Sequence, residues 1–375
     1  MSIEEFLSEW HDASDRLLVH TSGSTGEPKA LWVEKRRMEA SARITCSFLG
    51  LKPGDTALLC MPLDYIAGKM MVVRALTCGL RLFCTPPTGH PLAAGNSLSV
   101  VETTSSAASP QVTSSISHLT SPISHLPSSI SHLPSSISHL TSNIFHLVAM
   151  VPMQVFNTLQ VPAERERLMR VRHLIIGGGA IDDALEAELR TFPNAVWSTY
   201  GMTETLSHIA LRRISGPEAS DWYTPFPTVG VSLNAGGCLV IDAPEVCPDT
   251  LETNDRAELS PDGRRFRILG RRDNVICSGG VKIQIEEVER MLRPHLPFPY
   301  MVTRRRDAKF GEAVVLLMQS ADVAFARSVC RRVLPRYWQP KHYIPAAALP
   351  MTATGKPARK KAEQYAAEYN PIVLP

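Results

Sequence analysis

The chain has 375 residues, which is enough for two or three domains and a substantial buried core. Its 39 basic and 36 acidic side chains leave a formal charge of +3, so the composition gives no reason to expect nucleic acid or an anionic membrane surface as a partner. No run of about 18 apolar residues is present, and none of its segments is therefore expected to span a bilayer.

The cysteines and the N-terminus indicate the compartment. Eight cysteines are spread along the chain without a CxxC pair, which argues against a disulfide scaffold or a zinc ribbon and favours a reducing environment. The first ten residues are acidic and lack the basic start and apolar stretch of a secretory signal. We therefore expect a cytoplasmic protein.

The first motif in chain order is a loop of glycine and hydroxyl residues that ends in lysine. Glycines let the backbone turn sharply and expose N–H groups, hydroxyls add donors and lysine adds a charge, a combination that suits a polyphosphate. It is not a Walker A loop, which has a different glycine spacing. The alternative is a mobile turn without a ligand. The candidate phosphate-binding residues are Thr21, Ser22, Gly23, Ser24, Thr25, Gly26 and Lys29.

A seven-residue unit is repeated five times between residues 114 and 147. Its isoleucines and leucines have the spacing of a coiled-coil heptad, but Pro122, Pro127 and Pro134 interrupt it, and each costs a helix interior about 3 kcal/mol. Each copy also carries a histidine, yet a Ser/Pro-rich tract does not supply converging metal ligands. We predict a low-complexity insertion over about residues 105–147, whose apolar tail, Ile144–Val151, re-enters the core.

The rest of the chain alternates between short apolar strands and helices. This rhythm predicts an α/β fold with at least one mostly parallel sheet, followed by a small α+β domain. We place the large N-terminal domain at residues 1–270 and the small mobile one at 271–375. The predicted strands are Thr56–Met61, Leu80–Cys84, Arg172–Ile176, Val196–Thr199 and Ala313–Met318, and the predicted helices are Asp182–Leu189, one around Ile285–Leu292, and Val323–Leu334.

A second motif, Tyr200-Gly201-Met202-Thr203-Glu204, follows a glycine turn that contains Gly177 and Gly178. The aromatic ring offers a stacking face for a purine, and the hydroxyl and carboxylate of Thr203 and Glu204 can address a phosphate and its Mg²⁺. Without a ligand, the same pattern is more typical of a helix cap.

The third and fourth motifs lie nearer the C-terminus. Asp255 can accept both hydroxyls of a ribose and Arg271 can add a donor, although a hairpin with a surface ion pair would have the same pattern. Asp273 and the pair Gly279-Gly280 follow closely. Lys356 stands on a Gly/Pro loop that, taken alone, would be an exposed turn.

Together and in this order, the four motifs resemble the adenylate-forming superfamily, which contains acyl-CoA synthetases, peptide-synthetase adenylation domains and luciferases. The resemblance implies that the first loop holds the pyrophosphate of ATP, that Gly177, Gly178, Tyr200 and Gly201 bind the nucleotide, and that Glu204 is a Mg²⁺ ligand. It also implies that Lys356, Thr203 and Glu204 are catalytic and that Asp255 and Arg271 bind the ribose. Asp273 would be the hinge between the domains, and Gly279 and Gly280 would face the thiol of coenzyme A.

Within that superfamily, the chain looks closest to the short form of the o-succinylbenzoate–CoA ligase family of menaquinone biosynthesis. Only 20 residues precede the phosphate loop, and the runs Met61–Gly68 with Arg74, and Met150–Val155, look like two segments of that family. The resemblance implies an acyl pocket at Tyr65 and Gly68. Tyr65 stands where histidine is usual, and Lys282 stands where asparagine is usual.

The implied reaction converts 2-succinylbenzoate, ATP and CoA into 2-succinylbenzoyl-CoA, AMP and diphosphate through an acyl-adenylate. The expected cofactor is Mg²⁺, and the expected substrates are a small acid, ATP and coenzyme A. The sequence leaves open whether the protein forms a homodimer. Three alternatives remain: another small acyl- or aryl-CoA ligase, a stand-alone adenylating enzyme that loads a carrier, and a catalytically inactive AMP-binding protein.

Overall fold

The computed structural model of the protein describes residues 1–20, 30–101, 145–352 and 356–369, and the backbone of residues 130–131. Within them the chain forms two compact units. The first comprises Met1–His20, Ala30–Val229 and Ala243–Asp249, and the second comprises Gly230–Asp242 and the chain from Thr250 onward.

The helices of the described residues are short to medium in length. In chain order they are α1 (Ile3–His11), α2 (Lys35–Leu49), α3 (Ile66–Cys78), α4 (Pro152–Leu159), α5 (Pro162–Met169), α6 (Asp183–Leu189), α7 (Ile285–Leu292), α8 (Val323–Val333) and α9 (Arg359–Glu368). Short 3₁₀ turns cover Arg272–Asn274 and Arg336–Trp338.

The strands of the first unit are β1 (Arg16–His20), β2 (Ala30–Glu34), β3 (Thr56–Leu59), β4 (Arg81–Cys84), β5 (Ser99–Val101), β6 (Ile130–Ser131), β7 (Leu147–Met150), β8 (His173–Ile176), β9 (Ala195–Gly201), β10 (His208–Arg213) and β11 (Thr224–Pro225). Those of the second are β12 (Gly230–Leu233), β13 (Cys238–Asp242), β14 (Leu251–Leu259), β15 (Phe266–Arg271), β16 (Val275–Ser278), β17 (Val281–Gln284), β18 (Tyr300–Asp307), β19 (Gly311–Met318) and β20 (His342–Pro345).

The first unit is built on one large sheet with the order β11-β10-β9-β8-β7-β3-β4-β5-β6. Its five central strands, β9, β8, β7, β3 and β4, are parallel, and antiparallel strands continue it on both sides. Neighbouring residues of a strand point to opposite faces, and in β3, β4, β7 and β8 residues of both sets are buried. Helices therefore cover both faces, as expected for a mostly parallel sheet. One face packs against α4, α5 and α6 through Val155, Leu168 and Leu185.

The second unit contains two smaller sheets. Strands β12–β15 form an antiparallel sheet, and β17, β16, β19 and β18 form another, to which β20 adds in parallel. Along β19, alternate residues face different helices: Val314 and Leu316 pack with the cluster of α7 and α8, whereas Val315 and Leu317 pack with α9. This alternation gives the C-terminal segment an α+β core with helices on both faces.

The structure confirms the predicted α/β class and places each predicted strand and helix within about two residues of its expected bounds. The apolar tail of the repeat re-enters the core as β7, whose four residues are all buried. The predicted insertion otherwise lies outside the described residues, apart from the two-residue strand β6. No helix among the described residues is long and apolar enough to cross a membrane. The eight cysteines, all described, are free thiols.

Candidate active site

The carboxyl ends of the parallel strands define the candidate site of the first unit. Strand β4 lies to one side of β3, whereas β7, β8 and β9 follow on the other side, so the strand order reverses between β3 and β7. In open α/β sheets, ligands bind in the crevice beyond the carboxyl ends at such a reversal. The loops after β3, β7, β8 and β9 are therefore expected to form the site.

One buried amide links two of these loops to the loop after β4. Gln154, in the first turn of α4, donates from Nε2 to the carbonyl oxygens of Cys60 at 3.0 Å and Thr88 at 2.9 Å. Its Oε1 accepts from the backbone N–H of Val151 at 3.1 Å. These residues follow β3, β4 and β7, so a single side chain holds the positions of the loops on both sides of the reversal.

The glycine turn after β8 lies beside the reversal. Gly177 comes directly after the strand, and its backbone N–H donates to the carbonyl oxygen of Met150, the last residue of β7, at 3.1 Å. Gly178 continues the turn with a positive φ. Both candidate nucleotide-binding glycines thus lie at the carboxyl edge of the sheet.

The motif Tyr200–Glu204 runs from the end of β9 into a tight turn that leads to β10. A Cβ atom built on Gly201 would lie 2.1 Å from the carbonyl oxygen of Ser207 and 2.4 Å from the Cα of His208, so only glycine fits this close approach of two backbones. The buried Thr205 closes the turn, because its hydroxyl bonds to backbone atoms of Met202 and Ser207.

Thr203 and Glu204 are the two polar members of that turn. Thr203 is buried, whereas the Glu204 side chain is exposed at the carboxyl edge. The interpretation of this motif as a helix cap is wrong, since the turn is followed by strand β10 and not by a helix. A carboxylate held by a rigid turn at the edge of the sheet can address a cation or a phosphate-bound metal.

Behind the turn runs a buried polar chain that the sequence did not reveal. The Arg74 guanidinium donates to the Ser207 hydroxyl at 2.7 Å, and this hydroxyl lies 3.2 Å from Nδ1 of His208. Nε2 of His208 lies 3.2 Å from the Thr45 hydroxyl, which donates in turn to the carbonyl oxygen of Ser41. In this chain the Ser207 hydroxyl donates to Nδ1 of His208, and Nε2 of His208 donates to the Thr45 hydroxyl. This arrangement requires a neutral His208 with its proton on Nε2. Burial, helped by the charge of Arg74, lowers the pKa of His208 well below its ordinary value.

Arg74 itself is an unusual group for a protein interior. It is only 2% exposed, and burial lowers its pKa to about 10. Its Nε has no hydrogen-bond partner, and no carboxylate pairs with it among the residues that the structure describes. Buried charges are normally paired, so an anion is the natural partner for this guanidinium.

The residues of the predicted acyl pocket lie at the start of helix α3. Tyr65 is the residue that precedes the helix. A Cβ atom on Gly68 would lie 2.2 Å from the carbonyl oxygen of Pro62, so this glycine lets α3 approach the loop after β3. This close packing by itself explains why glycine stands at position 68. The acyl-pocket roles of Tyr65 and Gly68 stay predictions.

Two sequence features have little or no counterpart in the described part of the chain. The phosphate loop, Thr21–Lys29, lies outside it altogether, as do four of the five repeat histidines. The fifth, His146, has a structural role: its Nδ1 accepts from the Thr56 backbone N–H at 3.1 Å, and its Nε2 is 3.4 Å from a carboxylate oxygen of Asp55.

In the second unit, the structure joins the predicted ribose-binding residues. Arg271 donates to the carboxylates of Asp255 and Asp273, both at 3.1 Å. Asp273, within the 3₁₀ turn after β15, also accepts from the Asn254 amide at 3.1 Å. Asp255 and Arg271 are register partners on the neighbouring strands β14 and β15, which explains how distant residues meet.

Lys356 belongs to the same cluster of the second unit. Its backbone is fixed by Thr352, whose hydroxyl accepts from the Lys356 N–H at 3.0 Å and whose own N–H donates to the Lys356 carbonyl at 2.8 Å. Burial and the positive charge of Arg271 lower the pKa of the Lys356 ammonium. Two cations held near each other at a partly buried place form a site suited to an anion.

An aromatic and basic patch adjoins the Gly279-Gly280 turn. The Gly279 N–H donates to the carbonyl oxygen of Phe310 at 2.8 Å. The ammonium groups of Lys309 and Lys341 lie 5.4 and 5.0 Å from the centroid of the Phe310 ring. This patch was not evident from the sequence because Phe310 and Lys341 are far apart in the chain. The only local signal is the Lys309-Phe310-Gly311 run at the turn between β18 and β19.

Metal ligands are sparse in the described residues. No group of three or more His, Cys, Asp or Glu side chains that could hold a metal ion occurs among them. Mg²⁺, however, commonly binds one or two carboxylates and completes its coordination with substrate phosphates and waters. A single exposed carboxylate such as Glu204 fits that mode.

Comparison with known proteins agrees with this arrangement. Residues 7–252 match the family of AMP-binding enzymes. The chain is 26% identical over 370 residues to the 2-succinylbenzoate–CoA ligase of Salmonella typhimurium, covering 93% of this chain and 68% of that protein. It also resembles the crystal structure of an acyl-CoA synthetase (AMP-forming)/AMP-acid ligase II-like protein from Dyadobacter fermentans, with 31% identity, a TM-score of 0.57, and 95% and 91% of the two chains covered.

The chain therefore belongs to the AMP-binding enzyme family and is an AMP-forming acid–thiol ligase by class. Among its more specific similarities in fold is the o-succinylbenzoate CoA synthetase MenE of Bacillus subtilis, in complex with ATP and magnesium ion. That structure matches with a TM-score of 0.65 at 20% identity over 92% of this chain and 69% of the other.

Proposed function

We propose that this protein is an ATP-dependent 2-succinylbenzoate–CoA ligase of menaquinone biosynthesis. The observation that carries the proposal is the buried Arg74 guanidinium, which contacts the motif loop and lacks a carboxylate partner among the described residues. A substrate with two carboxylates can present one for activation and pair the other with such a group. The names of the curated relatives support the same substrate.

The first half-reaction joins two anions, and this sets the demands on the site. The acid carboxylate attacks the α-phosphate of ATP, diphosphate leaves, and an acyl-adenylate forms. Two unit charges about 4 Å apart repel by roughly 4 kcal/mol at an effective dielectric constant near 20. Positive groups directed at the developing charge must offset this repulsion. We assign that role to Lys29 and Lys356, with Thr203 at the α-phosphate.

The remaining nucleotide contacts follow the geometry of each unit. Glu204 would hold Mg²⁺, which when bound neutralises phosphate charge and orients the triphosphate. Tyr200, with Gly177, Gly178 and Gly201, would bind the adenine side of the nucleotide, and Asp255 with Arg271 the ribose. Arg271 donates to Asp255, so the ribose hydroxyls would meet a hydrogen-bonded pair.

The second half-reaction transfers the acyl group to the thiol of coenzyme A and releases AMP. The patch of Phe310, Lys309 and Lys341 beside Gly279-Gly280 supports free coenzyme A as the acceptor, because a ring flanked by ammonium groups suits an adenine nucleotide with several phosphates. Two further points remain predictions: the domain boundary after residue 270 and the hinge at Asp273. Rotation about this hinge would withdraw Lys356 from the site and bring Gly279-Gly280 to it. The position of Asp273 in a short turn between β15 and β16 supports that hinge.

A substrate panel tests the proposed reaction. Incubation with ATP, Mg²⁺ and 2-succinylbenzoate should give an acyl-adenylate that mass spectrometry detects, and added coenzyme A should convert it to the thioester. Aryl monocarboxylates of similar size serve as matched controls and should react at least about tenfold more slowly, because losing one charge-assisted hydrogen bond costs about 1.4 kcal/mol or more. Equal turnover of the monocarboxylates would contradict the assigned substrate, and loading of a phosphopantetheine carrier in preference to coenzyme A would contradict the acceptor.

The acceptor assignment also predicts the behaviour of a Phe310→Ala variant. Removing the ring should raise KM for coenzyme A about threefold to tenfold, as expected for the loss of a stacking contact of about 1 kcal/mol. Pyrophosphate exchange, which needs ATP, the acid and pyrophosphate but no coenzyme A, should stay at the wild-type rate. An unchanged KM for coenzyme A in a folded Phe310→Ala protein would show that this patch does not bind the acceptor.

A further inference from the structure

A second tyrosine packs against the ring of Tyr200. The centroids of the Tyr200 and Tyr223 rings are 5.9 Å apart, and their planes are inclined by 58°. The Tyr223 hydroxyl lies 2.7 Å from the hydroxyl of Ser198, a buried residue of β9. Ser198 and Tyr200 are two residues apart on that strand, so their side chains share one face of the sheet. Tyr223 therefore covers the face from which the Tyr200 ring projects.

A buried ion pair also lies against Tyr223. Arg212 on β10 is the register partner of Ser198, and its guanidinium carbon is 5.6 Å from the centroid of the Tyr223 ring. Arg212 also donates two hydrogen bonds, of 2.9 and 2.6 Å, to the carboxylate of Glu186 on α6. The side chains of Arg212 and Glu186 are only 11% and 14% exposed. This bidentate pair fixes the guanidinium plane and, through it, the Tyr223 ring.

We propose that Tyr223 is a positioning residue for the nucleotide, acting through Tyr200. The inference rests on the proposed function, in which Tyr200 contacts adenine. A ring that rotates freely must be immobilised when a base stacks on it, which weakens binding, whereas a ring already held in place does not incur that loss. The hydroxyl contact to Ser198 and the guanidinium of Arg212 keep Tyr223 in place, and Tyr223 keeps the Tyr200 ring in the orientation that receives the base.

The proposal predicts a selective effect on ATP. Tyr223→Leu removes the neighbouring ring and should raise KM for ATP in pyrophosphate exchange about threefold to tenfold, the factor expected for immobilising one side chain. Both kcat and KM for the acid should stay within twofold of wild type. Tyr223→Phe keeps the ring and should recover most of the ATP affinity, with Ser198→Ala matching it because both remove the same hydrogen bond.

Controls separate this role from a general loss of structure. Phe325→Leu alters another aromatic pair, Phe298 and Phe325 with centroids 6.4 Å apart, and should leave all three constants unchanged. An unchanged KM for ATP in a folded Tyr223→Leu protein would overturn the proposal, as would an equal rise in KM for ATP and for the acid. If Tyr223→Leu does not fold, Tyr223→Phe and Ser198→Ala decide, since a positioning role requires the same small rise in both.

Failure of the proposed function would have a different signature. Wild-type protein that gives no pyrophosphate exchange with any acid would contradict the reaction, not the role of Tyr223. Calorimetric titration of wild type and Tyr223→Leu with ATP and Mg²⁺ then measures nucleotide affinity without turnover. A loss of affinity of threefold or more in the variant supports the positioning role, and equal affinities overturn it.

Discussion

Lys356→Ala should slow adenylate formation by about 100-fold or more, the cost usual for removing a donor that stabilises developing charge. The ammonium is partly buried, and both burial and the charge of Arg271 lower its pKa. A bound anion such as a phosphate would raise this pKa and so favour the charged form. Pyrophosphate exchange with 2-succinylbenzoate measures this step. Thioester formation from supplied acyl-adenylate should continue at a rate near that of wild type, because in the second half-reaction the thiol attacks the acyl carbon and no carboxylate has to approach the triphosphate.

The neighbouring Lys360 provides a matched control for this experiment. It is an exposed lysine on α9, and Lys360→Ala removes the same charge from the protein without touching the cluster of Asp255 and Arg271. Its exchange rate should equal that of wild type. A Lys356→Ala protein that exchanges pyrophosphate as fast as Lys360→Ala would eliminate the assigned role of Lys356.

Gly201→Ala should cost both activity and stability. The added methyl would lie 2.1 Å from the Ser207 carbonyl oxygen, and backbone atoms cannot move aside as the end of a flexible side chain can. We expect a loss at or above the upper end of the roughly 1–3 kcal/mol typical of overpacking, together with at least a 100-fold drop in pyrophosphate exchange as Thr203 and Glu204 are displaced. Thermal unfolding and exchange kinetics on the same preparation measure the two effects.

Gly95→Ala is the corresponding control. Gly95 is exposed in the same unit, has no heavy atom within 4 Å of the added methyl, and does not require a positive φ. The melting temperature and exchange rate of this variant should match those of wild type within error. If Gly201→Ala were equally silent, the close backbone approach at this turn would not exist in solution.

Much of the fold followed from local sequence patterns. Short apolar runs such as Thr56–Leu59 and His173–Ile176 became parallel strands because β-branched and leucine-rich segments between turn signals fit a sheet buried on both faces. The helix that begins at Asp183 was predictable from its cap, since the Asp182 carboxylate accepts from the N–H groups of Ala184 and Leu185. The candidate residues of the four motifs could be named for the same reason, because each motif is contiguous or nearly so.

What the sequence did not predict depends on contacts between distant residues. Nothing in the run around Arg74 indicates that its guanidinium meets Ser207, 133 positions further on, or that His208 connects this pair to Thr45. Tyr223 likewise lies in an irregular stretch with no periodic pattern. Such groups are recruited by strand order and helix packing, and a pattern confined to neighbouring residues carries no information about them.

The amide of Gln154 has a consequence for redesign of the loops at the carboxyl edge of the sheet. Because its three hydrogen bonds end on backbone atoms of Cys60, Thr88 and Val151, the loops that carry these residues behave as one mechanical part. Grafting a single loop from a relative would shift one of these backbone groups and leave a buried amide atom of Gln154 without its hydrogen-bond partner. Transplanting all three segments together with the glutamine would instead keep every one of these hydrogen bonds, so the three loops should be exchanged as one unit.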